Sequence, residues 1–252
     1  QRMNTDLTGG CGRCGCNAEE TGFTMEQIIE CVPNFSEGRR LDVVEQIAAA
    51  IMAVEGVKVL DIESDADHNR SVVTCVGHAG AIEEAAFRGI ARAAQLINMT
   101  KHQGGHPRMG ATDVVPLIPI RHLTLEETVD LSRELARRIN ERYGIPVFLY
   151  EDSATSPDRI NLANIRRGQF EGMAEKLRLP EWEPDFGQRA IHPTAGVTAV
   201  GGRFPLNAYN SPICFSAFRT PAFSAAVSFG SGARRQPPGK PSMFSASLAG
   251  AP

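Results

Sequence analysis

Between residues 28 and 150, apolar positions recur at two spacings, one typical of strands and one typical of helices. Positions three and four apart predict helices over 41–54 and 79–98. Thr124 predicts the start of a third helix, because Glu127 follows three residues later, as in a capping box. Short apolar runs predict strands over IIECV (28–32), VKVLDIE (57–63), SVVTCVG (71–77) and PVFLY (146–150).

A further apolar run, VVPLIPI (114–120), predicts a buried strand with an unusual feature. Pro116 and Pro119 cannot donate a backbone hydrogen bond, so they predict that this strand is irregular or lies at a sheet edge. The resulting order, β-α-β-β-α-β followed by α-β, predicts the α+β class. It favours a ferredoxin-like two-layer sandwich, a mixed sheet with helices packed on one face.

The two ends of the chain lack this patterning. Residues 1–24 are polar and glycine-rich, which is typical of a flexible extension, and Met25 is a plausible natural start. Residues 211–252 contain no Asp or Glu and keep neither period. They predict an irregular, disordered tail, and a stretch of foreign or frame-shifted sequence is the alternative.

Composition excludes several classes of protein. A net charge of −3 argues against nucleic-acid binding driven by bulk charge. No apolar run approaches the roughly 20 residues that a membrane helix needs. The first residues lack the apolar core of a secretory signal, so we expect a soluble, cytoplasmic protein.

Three of the six cysteines, Cys11, Cys14 and Cys16, fall within CGRCGC. A zinc site would need a fourth ligand, and no second Cys/His pair follows at a suitable spacing. A disulfide framework is not expected in a chain this long and otherwise poor in cysteine. We therefore favour free thiols over a metal site.

The densest polar cluster is KHQGGHPRMGATD (101–113). His102 and His106 are four residues apart, which would suit a metal on a helix, but the surrounding glycines and Pro107 disfavour a helix. General acid–base work suits a histidine better, since imidazole titrates near neutral pH. An inert surface loop is the alternative.

Three further polar stretches are candidate binding regions. In DIESDADHNR (61–70), the acids could hold an ammonium or amidine and Arg70 a carboxylate; a solvated hairpin loop is the alternative. In CVPNFSEGRR (31–40), Asn34, Ser36 and Glu37 could cap a helix, or its amides could receive an anion. DFGQRAIHPTAGVTAVGGR (185–203) could lie along a flat ligand, with Arg189, His192 and Arg203 meeting carboxylates, or could be a linker.

Several motifs together resemble the formimidoyltransferase family: ECVPNFSEGR, HNRSVVTCVG, HQGGHPRMGATDVVPLIPI, PVFLYE, IRRGQFEGMAEKL and WEPDFG. The resemblance covers about residues 25 to 210. It implies that 25–205 form the N-terminal subdomain of that domain together with the start of a folate-binding linker. The family pattern is lost after Asn210, so the second subdomain is expected to be largely missing.

The resemblance also implies a reaction, the transfer of a formimino group from N-formimino-L-glutamate to tetrahydrofolate. It places the catalytic histidine at His106, implies no metal and suggests a homodimer. The weaker candidates for substrate binding are Asn34, Asp61, Glu63, Arg70 and Arg108. The folate-binding stretch maps onto Gly187, Gln188, Arg189, Ala190, Ile191, His192, Pro193, Thr194, Ala195 and Gly196.

Two alternatives to the transferase remain open. A chain with an incomplete folate cleft could bind folate or dimerise without turnover. A hydrolase could instead release glutamate from formiminoglutamate without folate, and glutamate production in the absence of tetrahydrofolate would distinguish it.

Overall fold

A computed structural model describes residues 27–205 of the chain. The expectations for residues 1–24, including CGRCGC, and for the tail at 211–252 lie outside the described residues. Seven strands form one sheet: β1 (Ile28–Cys31), β2 (Asn34–Phe35), β3 (Val57–Asp65), β4 (Arg70–Gly77), β5 (Thr112–Arg121), β6 (Val147–Leu149) and β7 (Thr198–Gly202).

Three long helices and three short ones accompany the sheet within residues 27–205. The long helices are α1 (Leu41–Met52), α2 (Ala79–Leu96) and α3 (Leu125–Tyr143), as the periodicity predicts. The capping box at Thr124 and Glu127 is present, and Gly144 ends α3 in the left-handed conformation. The short helices, which the sequence analysis did not predict, are α4 (Pro157–Ile160), α5 (Leu162–Arg166) and α6 (Gln169–Lys176).

The strand order confirms the ferredoxin-like prediction. β3 pairs with β4, β4 with both β1 and β2, and these two with β5, all antiparallel. If β1 and β2 are taken as one interrupted strand, the first six elements give the βαββαβ sandwich. The sheet then continues from β5 through β7 to β6 with parallel pairing, so it is mixed.

β5 is a central strand, so of the two alternatives predicted for it, irregular or at a sheet edge, the edge position is wrong. It lies between β1 and β2 on one side and β7 on the other. The irregularity that Pro116 and Pro119 predict is present as register shifts opposite β5 in β1 and β2. Proline retains its carbonyl acceptor, and the carbonyl of Pro116 accepts the N–H of Val32 at 3.3 Å.

Two apolar clusters cover opposite faces of the sheet, because successive strand residues point to opposite sides. The larger cluster joins α1, α2 and α3 to one face and includes Val115, Leu117 and Val200. The smaller cluster packs Val114, Phe148 and other residues of β5–β7 against Ile165 of α5 and Met173 of α6. The three long helices therefore lie on one face, as predicted, and short helices cover part of the other face.

Within residues 27–205, no helix is both long and apolar enough to cross a membrane.

Candidate active site

Three of the four polar stretches meet at one end of the sheet, through hydrogen bonds made by one side chain. The side-chain oxygen Oδ1 of Asn69 accepts the N–H of Gly38 at 3.0 Å, and its side-chain nitrogen Nδ2 donates to the backbone carbonyl of Gln103 at 2.8 Å. Asn69 is buried and has a positive φ of 50°. Residues 31–40, 61–70 and 101–113 thus form a single cluster around the β3–β4 turn.

The loop after α2 approaches this turn closely at Gly104. A Cβ added there would lie 2.3 Å from the carbonyl oxygen of His68 and 2.9 Å from Cβ of Asn69. Only glycine leaves room for this approach without a shift of the turn. The glycine therefore brings the loop carrying His106 against the turn carrying His68.

His106 faces a cavity of about 550 Å³, a size typical of small-ligand sites. The cavity, called the His106 cavity below, is lined by Glu63, Ser64, Asp65, His68, Arg70, Val72 and His106. Nε2 of His106 is buried and has no hydrogen-bond partner among residues 27–205. Since buried polar atoms are normally paired, this nitrogen is available to a ligand.

The environment of His106 favours its neutral form. Burial, together with the positive charges of Arg70 and Arg166 and with His68, lowers the pKa of His106 to about 4. The imidazole is therefore unprotonated at neutral pH and can accept a proton.

Arg70 is held in place by Asn34. The Asn34 side-chain oxygen accepts a hydrogen bond from Nε of Arg70 at 2.9 Å, and its nitrogen donates to the carbonyl of Val32 at 2.8 Å. Asn34 is buried and does not line the cavity, whereas Arg70 does. Asn34 thus orients the arginine rather than facing a ligand itself.

A second arginine reaches the site from α5. Arg166 pairs with Asp113 of β5, which also accepts the N–H of Met109 at 2.9 Å. Asp113 is almost fully buried, and this burial raises its pKa despite the adjacent Arg166. This pair fixes the C-terminal end of the His106 loop and adds a cation near the imidazole.

The acidic candidates on β3 separate in the structure. Glu63 lines the His106 cavity, while Asp61 does not. Asp61 accepts the backbone N–H of Ile62 at 2.9 Å. Glu63 is therefore the better placed of the two to meet a positively charged amidinium.

His102 and Arg108 lie on the opposite side of the loop, in a fully paired arrangement. Nε2 of His102 donates to the carbonyl of Asn69 at 3.0 Å, and its Nδ1 accepts from Nε of Arg108 at 3.2 Å. Arg108 is buried and forms a two-point ion pair with Glu171 at 2.7 and 2.9 Å. Arg108 does not line the His106 cavity, so the structure does not bring this substrate-binding candidate to it.

Residues 36–40 satisfy their own amides. The carboxylate of Glu37 accepts the N–H groups of Arg39 and Arg40 at 3.0 and 2.9 Å. Burial would raise the pKa of Glu37, but these amides and the Arg40 guanidinium lower it. The residue before α1 is Arg40, which makes no side-chain cap, so of the three capping candidates only Glu37 accepts amides at the start of this helix.

The Gly187–Gly196 stretch lies outside the His106 cavity. Its first part lines a separate cavity beside the end of α3, and Arg189 pairs with Glu183. Its last part contacts the His106 loop, since the carbonyl of Ala195 accepts the N–H of Ala111 at 2.8 Å. Nδ1 of His192 accepts the N–H groups of Thr194 and Ala195, which closes a tight turn.

Three residues of the site were missed by the sequence analysis as individual candidates: His68, Asp113 and Arg166. His68 follows Asp65 at the spacing of an Asx-type turn, a signal that the sequence does carry. Arg166 is separated from Asp113 by 53 positions, so its pairing depends on the fold.

Within residues 27–205 no group of three or more His, Cys, Asp or Glu residues is arranged to hold a metal ion. Cys31 and Cys75 are buried free thiols in neighbouring strands. The absence of a metal from the protein remains a prediction.

Comparison with known proteins places the chain among its relatives. Residues 28–203 match the family model described as the formiminotransferase domain, N-terminal subdomain. The chain is 57% identical over 186 residues to a glutamate formimidoyltransferase of Streptococcus pyogenes serotype M1, covering 74% of this chain and 62% of that protein. It is 46% identical over 185 residues to a glutamate formimidoyltransferase of Thermoplasma acidophilum, covering 73% and 61%.

A longer relative is also similar. The formimidoyltransferase-cyclodeaminase of Dictyostelium discoideum is 45% identical over 186 residues, which cover 74% of this chain and 35% of that protein. The chain spans less than two thirds of the length of each of these relatives.

Proposed function

The chain belongs to the formiminotransferase family as its N-terminal subdomain, and from this premise we propose that it takes part in formimidoyl transfer with His106 as the acid–base group. The donor is N-formimino-L-glutamate, the acceptor is tetrahydrofolate, and the products are 5-formimidoyltetrahydrofolate and L-glutamate. The observation that carries the proposal is the unpaired, buried Nε2 of His106 at the wall of a cavity that also holds a cation and carboxylates.

The charges of the cavity match those of the donor. Arg70 is available to pair with a glutamate carboxylate, because its hydrogen bonds to Asn34 use only part of its donor fork. Glu63 is an acceptor for the positively charged formimino group. A cation and an anion on the same wall therefore suit a ligand that carries both signs.

The reaction needs two proton transfers at the formimino carbon. N5 of tetrahydrofolate attacks this carbon and must lose a proton, and the departing glutamate nitrogen must gain one. A neutral imidazole can take the first proton and then return it to the second nitrogen. Binding of the anionic donor beside Arg70 and Arg166 would offset their charge, and we expect the pKa of His106 to rise in the complex.

The folate is proposed to lie along the Gly187–Gly196 stretch. This stretch is joined to the His106 loop by the hydrogen bond from Ala111 to Ala195. The cavity beside it includes Gly144 and Gly187 in its lining. A flat pterin could approach the backbone closely at these two glycines, which carry no side chain.

The test is formation of 5-formimidoyltetrahydrofolate by the purified chain from formiminoglutamate and tetrahydrofolate. We expect His106→Ala to lower the rate by about 100-fold or more, the usual contribution of an acid–base group. His122→Ala, at an exposed histidine after β5, is the matched control and should keep full activity. Equal rates for the chain and His106→Ala would refute the role of His106.

If the chain is folded but forms no product, this result would support the alternative of a folate-binding module. Its relatives are longer than the matched region, so residues outside this subdomain could complete the reaction site in them. Binding of tetrahydrofolate without turnover, measured by calorimetry, would then distinguish this module from a transferase.

A further inference from the structure

A second imidazole is fixed beside His106 by the turn that follows β3. One oxygen of Asp65 accepts the backbone N–H groups of Asp67 and His68, both at 2.9 Å. Its other oxygen accepts a hydrogen bond from Nδ1 of His68 at 2.6 Å. Asp65 therefore both builds the turn and sets the orientation of the imidazole ring.

The two imidazoles share the His106 cavity. Their ring centroids are 6.5 Å apart, and the rings are nearly perpendicular, at 74°. Because Nδ1 of His68 is bound to Asp65, its Nε2 is the nitrogen left for another partner, and no group of residues 27–205 hydrogen-bonds to it. Both rings line the same cavity, so a single ligand bound there can contact both.

Asp65 supplies the electrostatic partner that a general acid needs. The N–H of His68 and its ring, together with the N–H of Asp67, lower the pKa of Asp65, so its carboxylate is ionised. An ionised carboxylate on one ring nitrogen orients a histidine and stabilises its protonated form. Within residues 27–205 no carboxylate is hydrogen-bonded to the ring of His106, and besides burial the groups that lower its pKa are Arg70, Arg166 and His68.

We propose that His68 is a second catalytic residue, which donates a proton to the departing glutamate nitrogen while His106 accepts the proton from N5. This inference rests on the proposed function and changes its second proton transfer: His106 takes the proton from N5, and His68 rather than His106 supplies the proton to the departing nitrogen. The bond between N5 and the formimino carbon forms, and the bond from that carbon to the glutamate nitrogen breaks. One proton passes from N5 to His106 and one from His68 to glutamate, after which the two imidazoles exchange a proton through solvent.

Charged groups from several elements surround His68. Asp65 and Asp67 belong to its own turn, Glu63 lies on β3, and Arg70 begins β4. Arg39, from the segment before α1, donates to the carbonyl of Ala66 at 2.8 Å. His106 faces the ring across the cavity.

A substrate that does not need an acid tests this role. In the thioimidate analogue of formiminoglutamate, sulfur replaces the glutamate nitrogen and leaves as a thiolate without a proton. We expect His68→Gln to lower kcat by about 100-fold with the natural donor and by less than about 5-fold with the analogue, at a similar KM. His122→Gln is the control and should keep both rates.

Asp65→Asn tests the positioning of His68. The amide keeps the acceptor oxygen of the turn and removes the charge beside the ring. We expect kcat to fall with the natural donor and to change far less with the thioimidate analogue, because the imidazole that donates the proton is no longer held in place by a carboxylate. A purely structural role of Asp65 would lower kcat equally with both donors.

The failures of the two proposals are distinguishable. Full activity in His68→Gln, or the same loss with both donors, overturns the role of His68 and leaves that of His106. Transfer that does not depend on His106 overturns the proposed function instead.

If the chain is inert, a binding measurement can still test whether His68 contacts the donor. Nitrogen NMR of the histidine side chains should show that formiminoglutamate moves the Nε2 signal of His68 but not that of His122. An unchanged His68 signal at saturating donor would overturn the contact, and with it the proposal.

Discussion

The two sides of the loop at residues 101–109 differ in how their polar groups are paired. On one side, both nitrogens of His102 are bonded to the protein, and Arg108 is tied to Glu171. On the other side, Nε2 of His106 has no partner within residues 27–205. Because unpaired buried groups cost free energy, they persist where a ligand can pair with them. The histidine that does the least for the fold is therefore the better candidate for chemistry.

The largest expected effect on stability is at Asp113, which anchors Met109 at the end of the loop at residues 101–109. Asp113→Ala would leave Arg166 without its buried partner and the N–H of Met109 without its acceptor. We expect the free energy of unfolding to fall by about 3 to 5 kcal/mol, as for other broken buried pairs. Urea denaturation measures this value.

Asp130 offers a matched control for Asp113. It pairs with Arg133 on the surface of α3, and its side chain is largely exposed. Asp130→Ala should change stability by less than about 0.5 kcal/mol. Equal losses at the two positions would contradict an anchoring role for Asp113.

The two histidines should differ in how much each contributes to the free energy of unfolding. His102→Ala removes the donor to Asn69 and the acceptor for Arg108, and we expect it to cost about 2 kcal/mol of stability. His106→Ala removes no such bond and should cost less than about 1 kcal/mol. Thermal and urea unfolding of both variants measures the two losses. If His106→Ala proved the less stable of the two, the comparison would be contradicted.

The contact between loop and turn is tested at Gly104. A methyl group there would meet the carbonyl of His68, so we expect Gly104→Ala to destabilise the fold by about 1 to 3 kcal/mol, as overpacking does. Gly172, within α6, has open space at the Cβ position. Gly172→Ala should instead stabilise by about 0.5 to 1 kcal/mol, through helix propensity alone. A neutral Gly104→Ala would show that the turn can move away freely.

Much of the fold was predictable because its signals are local. The long helices follow from apolar spacing and the capping box of α3, and the order of the first elements fixes the ferredoxin-like topology. β7 was missed because two of its five residues are glycine, which weakens the apolar signal of a buried parallel strand. The prolines of β5 left two alternatives open, and the irregular one holds because register shifts in β1 and β2 accommodate them within a central strand.

The site was less predictable, since its chemistry depends on pairings across the fold. The sequence indicates His106, Arg70 and Glu63 as candidates, and the structure places all three in one cavity. It could not separate these from Arg108, a second arginine, and Asp61, a second carboxylate on the same strand as Glu63. Arg108 is engaged only because α6 supplies Glu171, and Asp61 accepts the N–H of Ile62 instead of lining the cavity.

The smallest expected effect is the contribution of His106 to the pH dependence of the free energy of unfolding. Its pKa is lowered from 6.5 to about 4 in the folded protein. Between these values the unfolded chain binds a proton that the folded chain does not, so the free energy of unfolding falls as pH decreases. We expect a loss of about 1 kcal/mol after allowance for solvent screening of this partly exposed ring.

His106→Gln isolates this effect, because the carboxylates that titrate in the same range are common to both proteins. The difference in free energy of unfolding should be constant above pH 7 and should shift in favour of the variant as the pH falls towards 4. Urea denaturation at several pH values gives this difference. Parallel curves would mean that His106 has an ordinary pKa in the folded protein, and the cationic environment proposed for donor binding would then be absent.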